Sequence, residues 1–177
     1  MDIEKDIISN SNHSSHSGEV GRGIDGSIAL FPGSFDPFTR GHADIVERGL
    51  KLFDHITIAV GHNEQKRGWI PIEERVRALR EFYKDDPRVQ VESYDTLTID
   101  FARSIDAHFI LRGIRSINDY EYELQIADIN HDLSGIETVV LFAQPGLANV
   151  SSSIIRELAH YGRDIREWLP EGLTYHI

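Results

Sequence analysis

Ile28-Ala29-Leu30-Phe31-Pro32-Gly33-Ser34-Phe35-Asp36-Pro37-Phe38-Thr39-Arg40-Gly41-His42 is the stretch on which the fold turns. The apolar run from Ile28 to Phe31 suits a strand buried on both faces, and Pro32-Gly33 stops it. A helix follows from about Gly41, with Ile45, Gly49 and Leu52 or Phe53 at helical spacing, while Asp44, Glu47, Arg48 and Lys51 face water. A strand that feeds a helix through a glycine-bounded turn gathers free backbone N–H groups, those of Ser34 and Phe35 among them, where they can hold an anion. His42 stands at the helix start, with its ring donors able to face the same anion. For this stretch alone, a tight turn with a structural histidine is the plainer reading.

Working outward, the same rhythm repeats. His55 to Val60 reads as a second strand, and a basic loop, Gln65-Lys66-Arg67-Gly68, leads to Pro71 and a helix whose Glu73 and Glu74 favour its positive end. Ile72, Val76, Leu79 and Phe82 or Tyr83 mark that helix's buried stripe. Strands over Val89 to Tyr94, Phe109 to Leu111 and Thr138 to Phe142 alternate with helices over Ile99 to Ile105 and Asn118 to Leu133. After a Pro145-Gly146 turn, Ser151-Ser152-Ser153 cap a last helix. The alternation implies an α/β, Rossmann-like, doubly wound parallel sheet of five strands with helices on both faces, binding ligands outside the carboxyl ends of its strands.

The 177-residue length suits one domain, at 27–177, preceded by a flexible polar extension at 1–26 that lacks a sustained apolar period. Within that extension, Gly21-Arg22-Gly23-Ile24-Asp25-Gly26 fits the dinucleotide pattern, but it precedes the first strand instead of following it. The absence of cysteine rules out disulfides and thiolate metal sites. With no apolar stretch of spanning length and no leader-like start, a cytoplasmic protein without a membrane partner is expected. A formal net charge of −11 argues against a nucleic-acid partner, so an anionic ligand must meet a local basic pocket.

The first junction resembles the T/H-x-G-H signature of the nucleotidyltransferase superfamily. Its longer form, Phe31 through His42, is similar to that of the bacterial phosphopantetheine adenylyltransferases. The likeness continues in order through Gln65-Lys66-Arg67, Glu73-Glu74-Arg75, Leu111-Arg112-Gly113-Ile114-Arg115, Asp119-Tyr120-Glu121-Tyr122-Glu123 and Val150-Ser151-Ser152-Ser153-Ile154-Ile155-Arg156. It implies transfer of the adenylyl group of ATP to 4′-phosphopantetheine, giving 3′-dephospho-coenzyme A and pyrophosphate, with Mg²⁺ shielding the triphosphate. Another small-molecule nucleotidyltransferase and a non-catalytic nucleotide-binding regulator are the alternatives.

The same likeness implies the residue roles. His42, Lys66 and Arg115 would be catalytic, and Ser34, Lys66, Thr98 and Arg112 would hold phosphopantetheine. ATP would meet Ser34, Phe35, His42, Gly113, Ile114, Arg115, Glu123, Leu147, Ala148, Asn149, Val150, Ser151, Ser152 and Ser153. No protein metal ligand is expected, and a homo-oligomer, a hexamer by family resemblance, is. The residues themselves support Arg112 and Arg115, which follow an apolar strand, more than Glu121 and Glu123, since acidic helix residues are usually a wet face. The sequence departs from the commonest pattern at Ser34, where threonine is usual, and at Gly146-Leu147-Ala148-Asn149, which replaces a more aromatic stretch.

Overall fold

The sheet's centre is β1 (Ile24–Gly33), and the strand order β3-β2-β1-β4-β5 is parallel throughout. The computed structural model describes residues 24–62 and 68–176. The other elements are β2 (Phe53–Gly61), β3 (Val89–Tyr94), β4 (Phe109–Ile114) and β5 (Glu137–Phe142), with α1 (Arg40–Gly49), α2 (Ile72–Phe82), α3 (Thr98–Ser104), α4 (Ile117–Ser134) and α5 (Ser152–His160). Most of the polar extension lies outside the described residues, and β1 begins at Ile24, so Ile24 to Gly26 of the glycine pattern belong to a strand.

Period-two alternation explains why both faces need helices. Ala29 and Phe31 of β1, Ile56, Ile58 and Val60 of β2 and Leu111 of β4 pack with Ile45 and Val46 of α1 and Val76 and Leu79 of α2. Their neighbours Leu30, Ala59 and Ile110 point the other way, onto Ile99 and Ala102 of α3. Each such fully buried aliphatic side chain contributes about 1.5–3 kcal/mol.

The α1 stripe is shorter than its periodicity suggests. It is Ile45, Val46 and Gly49; the helix ends there, Leu52 is exposed and Phe53 opens β2. Gly49 has a packing reason, since a Cβ there would lie 2.7 Å from Leu111 and 2.8 Å from Ile56. Similarly, β1 does not stop at Pro32 but pairs with β2 through Pro32 and Gly33. Against β4, by contrast, β1 is in register only at Ala29 and Leu30. Pro32 has no N–H to give a neighbouring strand, so the two strands part where the chain order reverses, the place where open α/β sheets bind ligands. Among the described residues, no helix is long and apolar enough to cross a membrane.

Candidate active site

Where β1 and β4 part, a cavity of about 330 Å³ opens, walled by the carboxyl ends of both strands and the starts of α1 and α5. Its floor is the turn Ser34 to Thr39, in which Phe35 takes a left-handed φ of 47°. The Phe35 ring folds back under Gly33, where a Cβ would meet it at 2.8 Å, and is buried beneath His42 with edge-on ring centroids 5.1 Å apart. Gly33 is therefore demanded by packing as well as by any approach to phosphate. Phe35 supports the histidine from below.

His42 is the third residue of α1 and closes a capping box with Thr39. The Thr39 backbone N–H donates to His42 Nδ1 at 3.0 Å, and Thr39 Oγ1 accepts from the His42 backbone N–H at 3.3 Å. An acceptor at Nδ1 means a neutral ring protonated at Nε2, so one ring donor, not two, is left for the cavity. Burial, then the charges of Arg115 and Arg112, push its pKa down to about 3. Local context thus decides the protonation state that the residue type leaves open.

The basic residues converge as charge logic requires, yet each is already engaged. Arg112, in β4 itself, donates from Nε to Glu123 at 2.7 Å, from Nη2 to the other oxygen of that carboxylate, and from Nη1 to the Pro32 carbonyl at 2.5 Å. It fills the gap that opens between β1 and β4. Glu123 is buried, so it is not part of a wet face; it is the sole buried residue of α4 and orients the arginine. Arg115 pairs with Asp119 at 3.0 Å, the i,i+4 spacing. Both guanidinium groups carry five N–H donors, so each keeps some for a phosphate.

Ser151 caps α5, accepting from the Ile154 N–H at 3.3 Å, and the helix start with Ser152 and Ser153 faces the cavity beside Leu147 and Val150. Gly113 also lines it, and a Cβ there would crowd Ile45 at 3.0 Å, so this glycine lets α1 lie close to β4. Three expected ATP contacts stand outside: Ile114 is buried as the last residue of β4, and Ala148 and Asn149 are exposed beyond the wall. Lys66 lies outside the described residues.

A second cavity of about 610 Å³ shares the wall Pro32, Gly33, Ser34, Arg112 and Glu123 with the first and extends along α3 and α4. Thr98 lines it, with its hydroxyl 3.0 Å from that of Tyr94, and so do Leu97, Tyr122, Ile126, Ile129 and Leu133. Ser34 and Arg112 thus face both chambers. Sequence reasoning missed Asp119 and Arg156, which line the first cavity, and Tyr122, which lines the second. The i,i+4 spacing of Arg115 and Asp119 was one available signal, and all three residues stand in the segments that carry the resemblance; what Arg156 does, with Nη1 on the Asp36 carbonyl at 2.6 Å, is set only across the fold.

The pattern of the Cytidylyltransferase-like family matches residues 30–158, from β1 into α5. The chain is 57% identical over 145 residues to the phosphopantetheine adenylyltransferase of Bacteroides fragilis, covering 82% of this chain and 97% of that one. The chain belongs to the phosphopantetheine adenylyltransferase family. The family member of that name from Phocaeicola vulgatus is 53% identical over the same share of this chain, and that from Porphyromonas gingivalis 51% over 84% of it. By fold, this phosphopantetheine adenylyltransferase relative also resembles a bifunctional NMN adenylyltransferase/ADP ribose pyrophosphatase from Francisella tularensis, with TM-score 0.61 and 15% identity over 81% of this chain and 44% of that one.

Proposed function

We propose that this chain transfers the adenylyl group of ATP to 4′-phosphopantetheine, yielding 3′-dephospho-coenzyme A and pyrophosphate. Family membership supports the reading, and one structural observation carries it: two chambers meet at Ser34 and Arg112, beside the Nε2–H of a neutral His42. A two-substrate reaction needs such a meeting point. The phosphate oxygen of the acceptor attacks the α-phosphorus of ATP, the bond from that phosphorus to the bridging oxygen breaks, and pyrophosphate leaves. No covalent protein intermediate is needed, so positioning and charge stabilisation supply the rate.

In this proposal the nucleotide occupies the smaller chamber, its phosphates against Arg115 and the serine-capped start of α5. The acceptor lies in the larger one, its phosphate near Ser34, Arg112 and Lys66 and its arm along Thr98. His42 donates from Nε2 to the transferring phosphoryl group as charge builds there. The Thr39 N–H on Nδ1 keeps the ring a neutral Nε2 donor, and burial beside Arg115 and Arg112 favours the same uncharged form. Mg²⁺ would be carried by the triphosphate, since Glu123 and Asp119, which line the smaller chamber, are committed to arginines. When bound it neutralises phosphate charge.

We also propose a cytoplasmic homo-oligomer, a hexamer by family resemblance. Ile117, Tyr120 and Leu124 of α4 are exposed and line neither chamber, an apolar stripe suited to a second copy. The deciding assay for the activity is pyrophosphate release from ATP with 4′-phosphopantetheine, run beside nicotinamide mononucleotide and with CTP replacing ATP. Release with the first pair alone supports the proposal. Release only with another pair, or ATP binding without release, sinks it.

A further inference from the structure

Arg75 is a buried cation, 7% exposed, on the inner face of α2, and it lines neither chamber. A buried guanidinium is costly unless its donors are used. Here Nε donates to the Ile70 carbonyl at 2.9 Å, and Nη1 donates to the carbonyl of Ser34, the residue that faces both chambers. Asp36, also buried, turns its carboxylate to the same segment: Oδ2 accepts from the Trp69 N–H and Oδ1 from the Ile70 N–H, both at 2.8 Å. Gly68 lies between the two charges. A Cβ there would stand 3.2 Å from Arg75 Nη2 and 3.2 Å from Asp36 Oδ2.

These contacts join two stretches far apart in sequence. One is the turn that presents Ser34; the other, Gly68 to Ile70, directly follows Lys66-Arg67 in the chain. We infer that Arg75, with Asp36 and Gly68, is a positioning clamp for the acceptor side of the site, acting on phosphopantetheine through Ser34 and by anchoring Gly68 to Ile70. The nucleotide side has further fastenings that do not pass through Arg75 or Gly68: Arg156 holds the Asp36 carbonyl at 2.6 Å and Ser152 Oγ holds the Pro37 carbonyl at 2.8 Å. Loss of the clamp should therefore split the two substrates instead of damaging both.

The inference rests on the proposed reaction, and its test keeps the two separable. Arg75→Lys, which keeps the charge but not the fork, and Gly68→Ala, which wedges the clamp apart, are compared with the full wild-type chain. Three quantities are measured: the KM for phosphopantetheine, the equilibrium dissociation constant for ATP alone, and the rate of trypsin cleavage after Lys66 and Arg67. The expected result is a roughly ten- to hundredfold rise in acceptor KM, ATP affinity within about twofold, and faster cleavage. Equal losses for both substrates, or a lowered Tm with KM and cleavage unchanged, would overturn the clamp. If the wild-type chain does not turn over phosphopantetheine, the functional proposal falls. Cleavage then judges the clamp alone: faster in both variants upholds it, unchanged overturns it.

Discussion

The β1–α1 junction and the outer face of α4 use their residues in opposite ways. In the junction, Phe35 to Thr39 are buried, and polar groups of Ser34, Asp36, Pro37 and Phe38 are bonded to other elements: Ser34 to Arg75, Asp36 to Trp69, Ile70 and Arg156, Pro37 to Ser152, and Phe38 to Tyr175 at 3.0 Å. In α4, 18 residues long, Glu123 alone is buried, while Ile117, Tyr120, Tyr122, Leu124, Ile129 and Leu133 are exposed. The junction is complete within one chain and so holds His42 to one tautomer. α4 leaves apolar surface in water, as a helix does when something else is to cover it.

His42→Ala should break the junction's chemistry most. Removing one transition-state donor is expected to lower kcat by roughly 100-fold or more, about 2.7 kcal/mol, with KM values little changed. Single-turnover measurement on folded protein checks this, and unchanged turnover would remove His42 from the chemistry.

Arg112→Ala tests where the two regions touch, because it strands the Glu123 carboxylate of α4. Given the pair's partial exposure, a loss of about 2 kcal/mol in denaturant unfolding is expected, partly restored by adding Glu123→Gln. Phosphopantetheine binding should weaken more than ATP binding, as for Lys66→Ala; equal losses would contradict the assigned chamber.

On the open side, Leu124→Asp should convert the proposed homo-oligomer to smaller species in analytical ultracentrifugation, since a carboxylate cannot be buried unpaired across an interface. An unchanged sedimentation profile would show that this stripe joins no copies.

The smallest effect is electrostatic. With the folded His42 pKa lowered to about 3 from 6.5, the unfolded chain takes up a proton that the folded one refuses between those values. Stability should thus be highest above pH 6.5 and fall as pH drops toward 3, by about 1 kcal/mol or less per pH unit at the open pocket mouth. Denaturant titrations at pH 7.5 and 5.5 check it: His42→Gln should have a flatter profile than wild type, and an identical slope would place the effect elsewhere.

Much of the fold was legible because it depends on local periodicity. Apolar runs such as Ile28 to Phe31 and Thr138 to Phe142 marked strands, though the second is the half-exposed edge strand β5, and Ser151 marked the α5 cap. Element ends were less so: Arg112 and Gly113 belong to β4, a continuation set by pairing to Val140 and Leu141 of β5 that no short-range pattern carries. In the site, the residue types announced themselves while their partners did not. Glu123 resembled a wet helix residue, and only the parting of β1 from β4 makes room for the arginine that draws it inward.

By itself, the sequence determined the alternation of strands and helices, the glycine-bounded turn before His42 and the cations after β4, because these rest on spacing and backbone preference over a few residues. The tertiary structure decided the engagement of Arg112 by Glu123 and the Pro32 carbonyl, the burial of Arg75 and Asp36 around Gly68, and which stripe of α4 lines a chamber. Charge states and hydrogen-bond partners depend on what lies within a few ångströms in space, and for Arg112 and Asp36 that comes from residues 11 to 120 positions away along the chain.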